Sequence, residues 1–149
     1  MTCVVDCSII VRLLASLPGD AQLRQRLSQT VHAPALIDAA VSSVIRSFTI
    51  TTKPNVRLSE ARALEMLDDY AGLRIVRHAM QPLQGRVFEM RHNFTAYDAM
   101  HVALAERLGL PLLTDDRKFD SAPGHHAEIQ RHPAEGPTAG RYSTSGERI

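Results

Sequence analysis

Residues 95–119 read TAYDAMHVALAERLGLPLLTDDRKF. Thr95 is a helix N-cap type, AYDAMHVALAERL is a helical run, and Gly109 suits the left-handed residue that closes it. The apolar LPLLT follows after a very short link, long enough for a strand and too short for another helix. Two adjacent carboxylates, Asp115 and Asp116, then end the strand. Taken alone they are turn residues, since Asp commonly marks a strand's exit into solvent. Their meaning depends on whether other acids converge on the same place.

The helix–link–strand order recurs outward from this segment. TCVVD at the start is a short apolar run ended by Asp6 and reads as a buried parallel strand. SIIVRLLAS continues as a helix, with Ser8 the expected N-cap and LPGD its stop. A second helix is expected from Asp20 to about Gln29. In PALIDAAVSSVIRSFTI, Leu36, Ile37, Ala40, Val41, Val44, Ile45 and Phe48 recur at steps of three and four, leaving Asp38, Ser42 and Arg46 on the opposite face. Ser59 caps a further helix that ends near Gly72, LRIVRH reads as a strand, PLQGRVFEMRHN as a helix, and AEIQ as a last short strand. The expected fold is α/β, a short parallel sheet between layers of helices. One domain is expected over residues 1–132, and 133–149, rich in Pro, Gly, Ser and Thr, as a flexible tail.

A chain of 149 residues with 44% hydrophobic and 22% charged residues can bury a core without disulfides or a structural metal. Cys3 and Cys7 are the only cysteines, too few for a secreted disulfide framework and without histidines at zinc-motif spacing. No run approaches the length of a membrane helix and the start lacks a signal-peptide pattern, so no membrane association and a reduced, cytoplasmic setting are expected. The net charge of +1 predicts no partner, although Arg supplies all but two of the 17 basic residues, and Arg is the better fork for phosphate. Genome-wide coding bias accounts for the same excess.

In an open parallel sheet, ligands bind beyond the carboxyl ends of the strands. Asp6 sits at such an end, Asp115 and Asp116 just past another, and Asp98 in the first turn of the helix between them. Each has a structural reading: Asp6 as a turn residue and Asp98 as the capping-box partner of Thr95. Asp98 reaches the same rim only if its helix starts there; together the acids would then form a cluster that resists burial without positive charge, and hard oxygen donors favour Mg²⁺ or Mn²⁺ over zinc. With no nucleophile evident, such a set suits metal-assisted hydrolysis of a phosphodiester.

VVDCS, HAPALIDAAVSSVIR and RHNFTAYDAMHVALAERLGLPLLTDDRKF, in this order and spacing over residues 1–132, resemble PIN-domain ribonucleases of the bacterial VapC toxin type. The resemblance implies a PIN-like α/β/α sandwich, Mg²⁺ or Mn²⁺ as cofactor, RNA as substrate, inhibition by a cognate antitoxin, and a homodimer. By position it assigns the catalytic and metal-binding acids to Asp6, Asp98 and Asp116, with Ser8, Thr114 and Asp115 in support. One position departs from the pattern, because Ala40 stands where the family carries Glu. Asp38 is two helical steps, about 200°, from position 40 and cannot stand in for it. Three readings of Ala40 are open: a deliberate inactivating change in a toxic nuclease, a natural loss of activity, or an acid supplied from elsewhere.

Arg91 and Arg117 flank the acidic blocks and are candidates for RNA phosphate contacts or for neutralising the acids. His101 reads as a polar neighbour of Asp98, and His125 and His126 lack metal-like partners. An aspartate-nucleophile phosphatase would carry a second acid where Ser8 stands. A receiver domain would pair its acids after the first strand. The rival from another class is a catalytically silent protein of the same fold that binds antitoxin or RNA. Aromatic residues make up only 5%, so no base-stacking platform is evident.

Overall fold

The computed structural model describes residues 2–133. All but the first residue of the expected tail therefore lies outside the described residues. Among these, no helix is long and apolar enough to cross a membrane.

Val4 and Val5 form β1, a strand of two residues at the centre of the sheet. It pairs in parallel with β2 (Val31–Pro34) on one side and β4 (Leu112–Thr114) on the other. With β3 (Ile75–His78) and β5 (Ile129–Arg131) at the edges, the order is β3-β2-β1-β4-β5, every pair parallel. Alternate side chains serve opposite layers. Cys3, Val5 and Leu113 enter the core built with α1 (Cys7–Ala15), α2 (Ala21–Arg26), α3 (Ile37–Ile50) and α4 (Glu60–Ala71). Val4 and Leu112 enter a second core with α5 (Gln84–Glu89) and α6 (Ala96–Leu108). The expected α/β/α layering is borne out.

Two expectations are corrected. Ser8 does not cap α1: Asp6 does, its carboxylate accepting the Ile9 N–H at 3.2 Å, because the chain is already helical at Cys7. The strand β2 has no counterpart in the sequence reading. VHAP carries a His and a Pro and shows no alternation, and only its place between β1 and β3 makes it a strand. Pro34, with no N–H to give to the sheet, is its last residue. Elsewhere Ser59 caps α4 and Thr95 caps α6, while Gly109 closes α6 in the left-handed region at φ 64° and delivers the chain into β4.

Arg12 of α1 is buried and makes a two-pronged contact with Asp20, Nε to Oδ2 at 3.1 Å and Nη2 to Oδ1 at 2.9 Å. Its third nitrogen faces Asp115 at 3.7 Å. His132, just after β5, meets Asp20 at 3.0 Å, so the last described segment is tied to the start of α2. Burial opposes ionisation of Asp20, but Arg12 and His132 hold its carboxyl below the usual range. Replacing Arg12 with Ala strands the buried Asp115 and leaves Asp20 with His132 alone, and we expect a loss of about 3–5 kcal/mol in urea denaturation. A loss below about 1 kcal/mol, the level of an exposed pair, would show that water replaces the guanidinium.

Candidate active site

Because β1 and β4 are parallel neighbours, their carboxyl ends open on one rim. Asp6 follows β1 there and Asp115–Asp116 follow β4. Asp6 is buried, and both of its oxygens are held. Oδ1 accepts from Ser8 Oγ at 2.5 Å and from the Ile9 N–H, and Oδ2 accepts from Thr114 Oγ1. Each hydroxyl also accepts an N–H from the acid pair: Ser8 Oγ from Asp115 at 3.2 Å and Thr114 Oγ1 from Asp116 at 3.0 Å. The two hydroxyls thus splice the end of β1 to the end of β4.

Burial pushes the Asp6 carboxyl up to about 7; the Ser8, Thr114 and Ile9 donors pull it down, while the nearby Asp115 charge raises it further. The adjacent acids part ways. Asp115 is fully buried and turns toward Arg12, its carboxyl raised by burial against the pull of Ser8 and Arg12. Asp116 turns outward and caps the short turn Arg117–Phe119, Oδ1 accepting the Lys118 N–H at 3.0 Å.

Lys118 joins the remaining acid. Its ammonium lies 3.0 Å from Asp98 Oδ2 and 3.1 Å from Asp116 Oδ2, so α6 begins at the same rim and its first-turn acid faces the strand ends. Burial works against the Lys118 charge, but the two carboxylates hold its pKa above the ordinary value. Beside them opens a cavity of about 460 Å³ lined by Arg91, His92, Asn93, Phe94, Thr95, Asp98 and Lys118. Arg91 lies over the Phe88 ring, 4.2 Å from its centroid, and donates to the Phe88 carbonyl at 3.0 Å. Arg117 is exposed on the turn after Asp116.

Other singled-out residues lie away from this network. Ala40 is buried in the first core among apolar side chains. Asp38 is taken by the Tyr70 hydroxyl at 2.7 Å and by Arg77 at 2.9–3.0 Å, so it is committed elsewhere. His101 is buried one turn into α6, with Nδ1 2.9 Å from the Tyr97 carbonyl. His125 packs edge-on against Phe94 and accepts the Ala127 N–H. Lys118 went unnoticed in the sequence, where its only signal is a position two residues beyond Asp116.

Among the described residues, no group of three or more His, Cys, Asp or Glu side chains is gathered closely enough to hold a metal ion. The donors nonetheless suit a hard divalent cation in kind. Asp98 and Asp116 are already collected around one positive charge, and Asp6, joined to Asp116 through Thr114, is a buried carboxyl whose ionisation positive charge favours.

The chain matches the family model "PIN domain" over residues 3–124. It is 34% identical to Ribonuclease VapC12 of Mycobacterium tuberculosis over 85% of this chain and 96% of that protein. It is 37% identical to Ribonuclease VapC1 of the same species over 86% of this chain and 96% of that one. Its fold resembles the crystal structure of VapBC2 from Rickettsia felis bound to a DNA fragment from their promoter, with a TM-score of 0.59, 14% identity, and coverage of 88% of this chain and 98% of the matched chain. A parallel sheet with acids assembled at its carboxyl rim, a family model spanning most of the chain, and relatives matched along nearly their whole length agree: the chain belongs to the PIN-domain family, among its VapC-type members.

Proposed function

We propose that this chain is the toxin of a toxin–antitoxin pair, an endoribonuclease dependent on Mg²⁺ or Mn²⁺ whose turnover is impaired by Ala40. The observation that carries the reading is the gathering of Asp98 and Asp116 on one positive charge, with Asp6 joined to them through Thr114. Asp6, Asp98 and Asp116 are the residues that would hold the cation. When bound, the cation supplies a Lewis acid that acidifies the attacking water and offsets charge on the phosphodiester. Ser8 and Thr114 keep Asp6 oriented, and Arg12 keeps Asp115 from adding a free negative charge at the rim. Arg91, which lines the cavity, and the exposed Arg117 would hold flanking phosphates, which would fix the RNA backbone without reading its sequence.

Similarity to proteins named VapC ribonucleases supports RNA as substrate, and the VapBC2 likeness supports an antitoxin partner. The side chains of Ile50, Val56, Leu64 and Leu67 are exposed and offer apolar surface of the kind a protein partner or a second copy covers. Ala40 favours one alternative, a silent protein that acts by binding antitoxin or RNA. Position 40 supplies no carboxylate, and Asp38 is held by Arg77.

We expect Mn²⁺-dependent, chelator-sensitive cleavage of a structured RNA mixture by the Ala40→Glu chain, roughly tenfold or more above the chain as it stands. Equal cutting by both would show that three acids suffice, and no cutting by either would move the assignment to the binding role. Loss of cutting in Ala40→Glu combined with Asp98→Asn would tie the activity to this rim.

Stability without metal should follow Asp6. The carboxyl ionises near 7 in the fold against an ordinary 3.8, so the folded chain holds the extra proton between those values and loses stability as pH rises across them. His32 acts oppositely, because burial and neighbouring His78 hold its imidazole below its usual value and stability rises as it loses its proton. The two are separated by comparison with Asp6→Asn. In melts with chelator from pH 5 to 8, the advantage of the unsubstituted chain over Asp6→Asn should shrink as pH rises, and Mn²⁺ should restore it. A pH-independent difference would contradict this assignment of the buried proton.

A further inference from the structure

Lys118 holds the acids of the rim more completely than a passing surface ion pair does. Its backbone N–H donates to Asp116 Oδ1 and its ammonium reaches Asp116 Oδ2, so both oxygens of that carboxylate are engaged by one residue two positions along the chain. The same ammonium takes Asp98 Oδ2 from a different element. Phe119 beside it is buried in the second core, which anchors the backbone of the turn, whereas the Lys118 side chain is 41% exposed and held at its tip by the two carboxylates. Lys118 also lines the cavity, together with Arg91, His92 and Asp98.

We propose that Lys118 is an exchangeable counter-cation: a divalent cation replaces its ammonium on Asp98 and Asp116, and the released ammonium takes a phosphate of RNA lying in the adjoining cavity. This rests on reading the rim acids as cation ligands. The exchange follows from charge. A divalent ion and an ammonium cannot both contact the same Oδ2 atoms, because like charges a few ångströms apart in a partly buried site repel strongly. A displaced ammonium seeks another anion, and the cavity it lines is flanked by the cationic side chain of Arg91, a place suited to a phosphodiester and poor for a further cation. The two exchanges help each other. Cation binding frees the Lys118 charge for the nucleic acid, and nucleic acid draws that charge off the carboxylates, so each ligand tightens the other by the same factor.

The test is calorimetric titration of Mn²⁺ into the full chain and its Lys118→Met and Lys118→Arg variants. Each is measured alone and with a short single-stranded DNA, a phosphodiester probe whose integrity is checked afterwards. Lys118→Met should bind Mn²⁺ roughly tenfold more tightly than the unsubstituted chain, with little further gain from the DNA. The unsubstituted chain should gain affinity when DNA is present, and Lys118→Arg should behave like it, because the charge is kept. Equal Mn²⁺ affinity in the unsubstituted chain and Lys118→Met, with binding in both, would overturn the exchange and leave the cation site standing. Absence of Mn²⁺ binding in every form, including Lys118→Met carrying Ala40→Glu, would overturn the cation site and this inference with it.

Discussion

The hydrogen bonding of the Asp6 carboxylate is the constraint on which the architecture turns. A charge enclosed by protein is tolerated only where donors surround it, and here three do: the hydroxyls of Ser8 and Thr114 and the N–H of Ile9. Through the Ile9 N–H the carboxylate starts α1, where the helix dipole favours negative charge. Through Thr114 it fastens a two-residue strand to its neighbour, and through the second bonds of both hydroxyls it fixes where Asp115 and Asp116 leave the sheet. One side chain therefore serves as helix cap, strand clip and member of the acidic rim. These roles are compatible because all of them occur where the parallel strands end.

Much of this was readable in the residues. The segment from Thr95 to Phe119 carries its own cap, its own stop and a strand with nowhere else to go, so the helix–strand unit followed from local chemistry, whereas the meeting of Asp98 with Asp116 depended on where α6 starts relative to the sheet. The unreadable parts depend on what arrives from far away. VHAP becomes a strand because β1 and β3 flank it, and its own residues do not ask for one. The cap on α1 moved from Ser8 to Asp6 because the helix begins two residues earlier in the chain than the hydroxyl suggests, at Cys7. Lys118 was silent because a lysine in a polar turn is ordinary until two carboxylates from different elements meet it.

The negative charge of the rim is offset where Lys118 places a positive charge between Asp98 and Asp116, while position 40 contributes only a methyl group to the apolar core. Asp115, the neighbour that would otherwise add a further charge, is turned away and matched by Arg12. Arg12 in turn is committed to Asp20, and Asp20 to His132, so the electrostatic state of the rim is connected to packing on the far side of α1.

The pairing of β1 with β4 sets Val4 beside Leu112 and Val5 beside Leu113, contacts that join the two ends of the described chain. During synthesis the N-terminal acid emerges early, but its strand has no partner on that side until almost the whole domain has been made. Thr114, Asp116 and Lys118 leave the ribosome later still. A chain that ends before β4 therefore cannot assemble the rim, and whatever chemistry the acids perform waits until β4 has paired with β1.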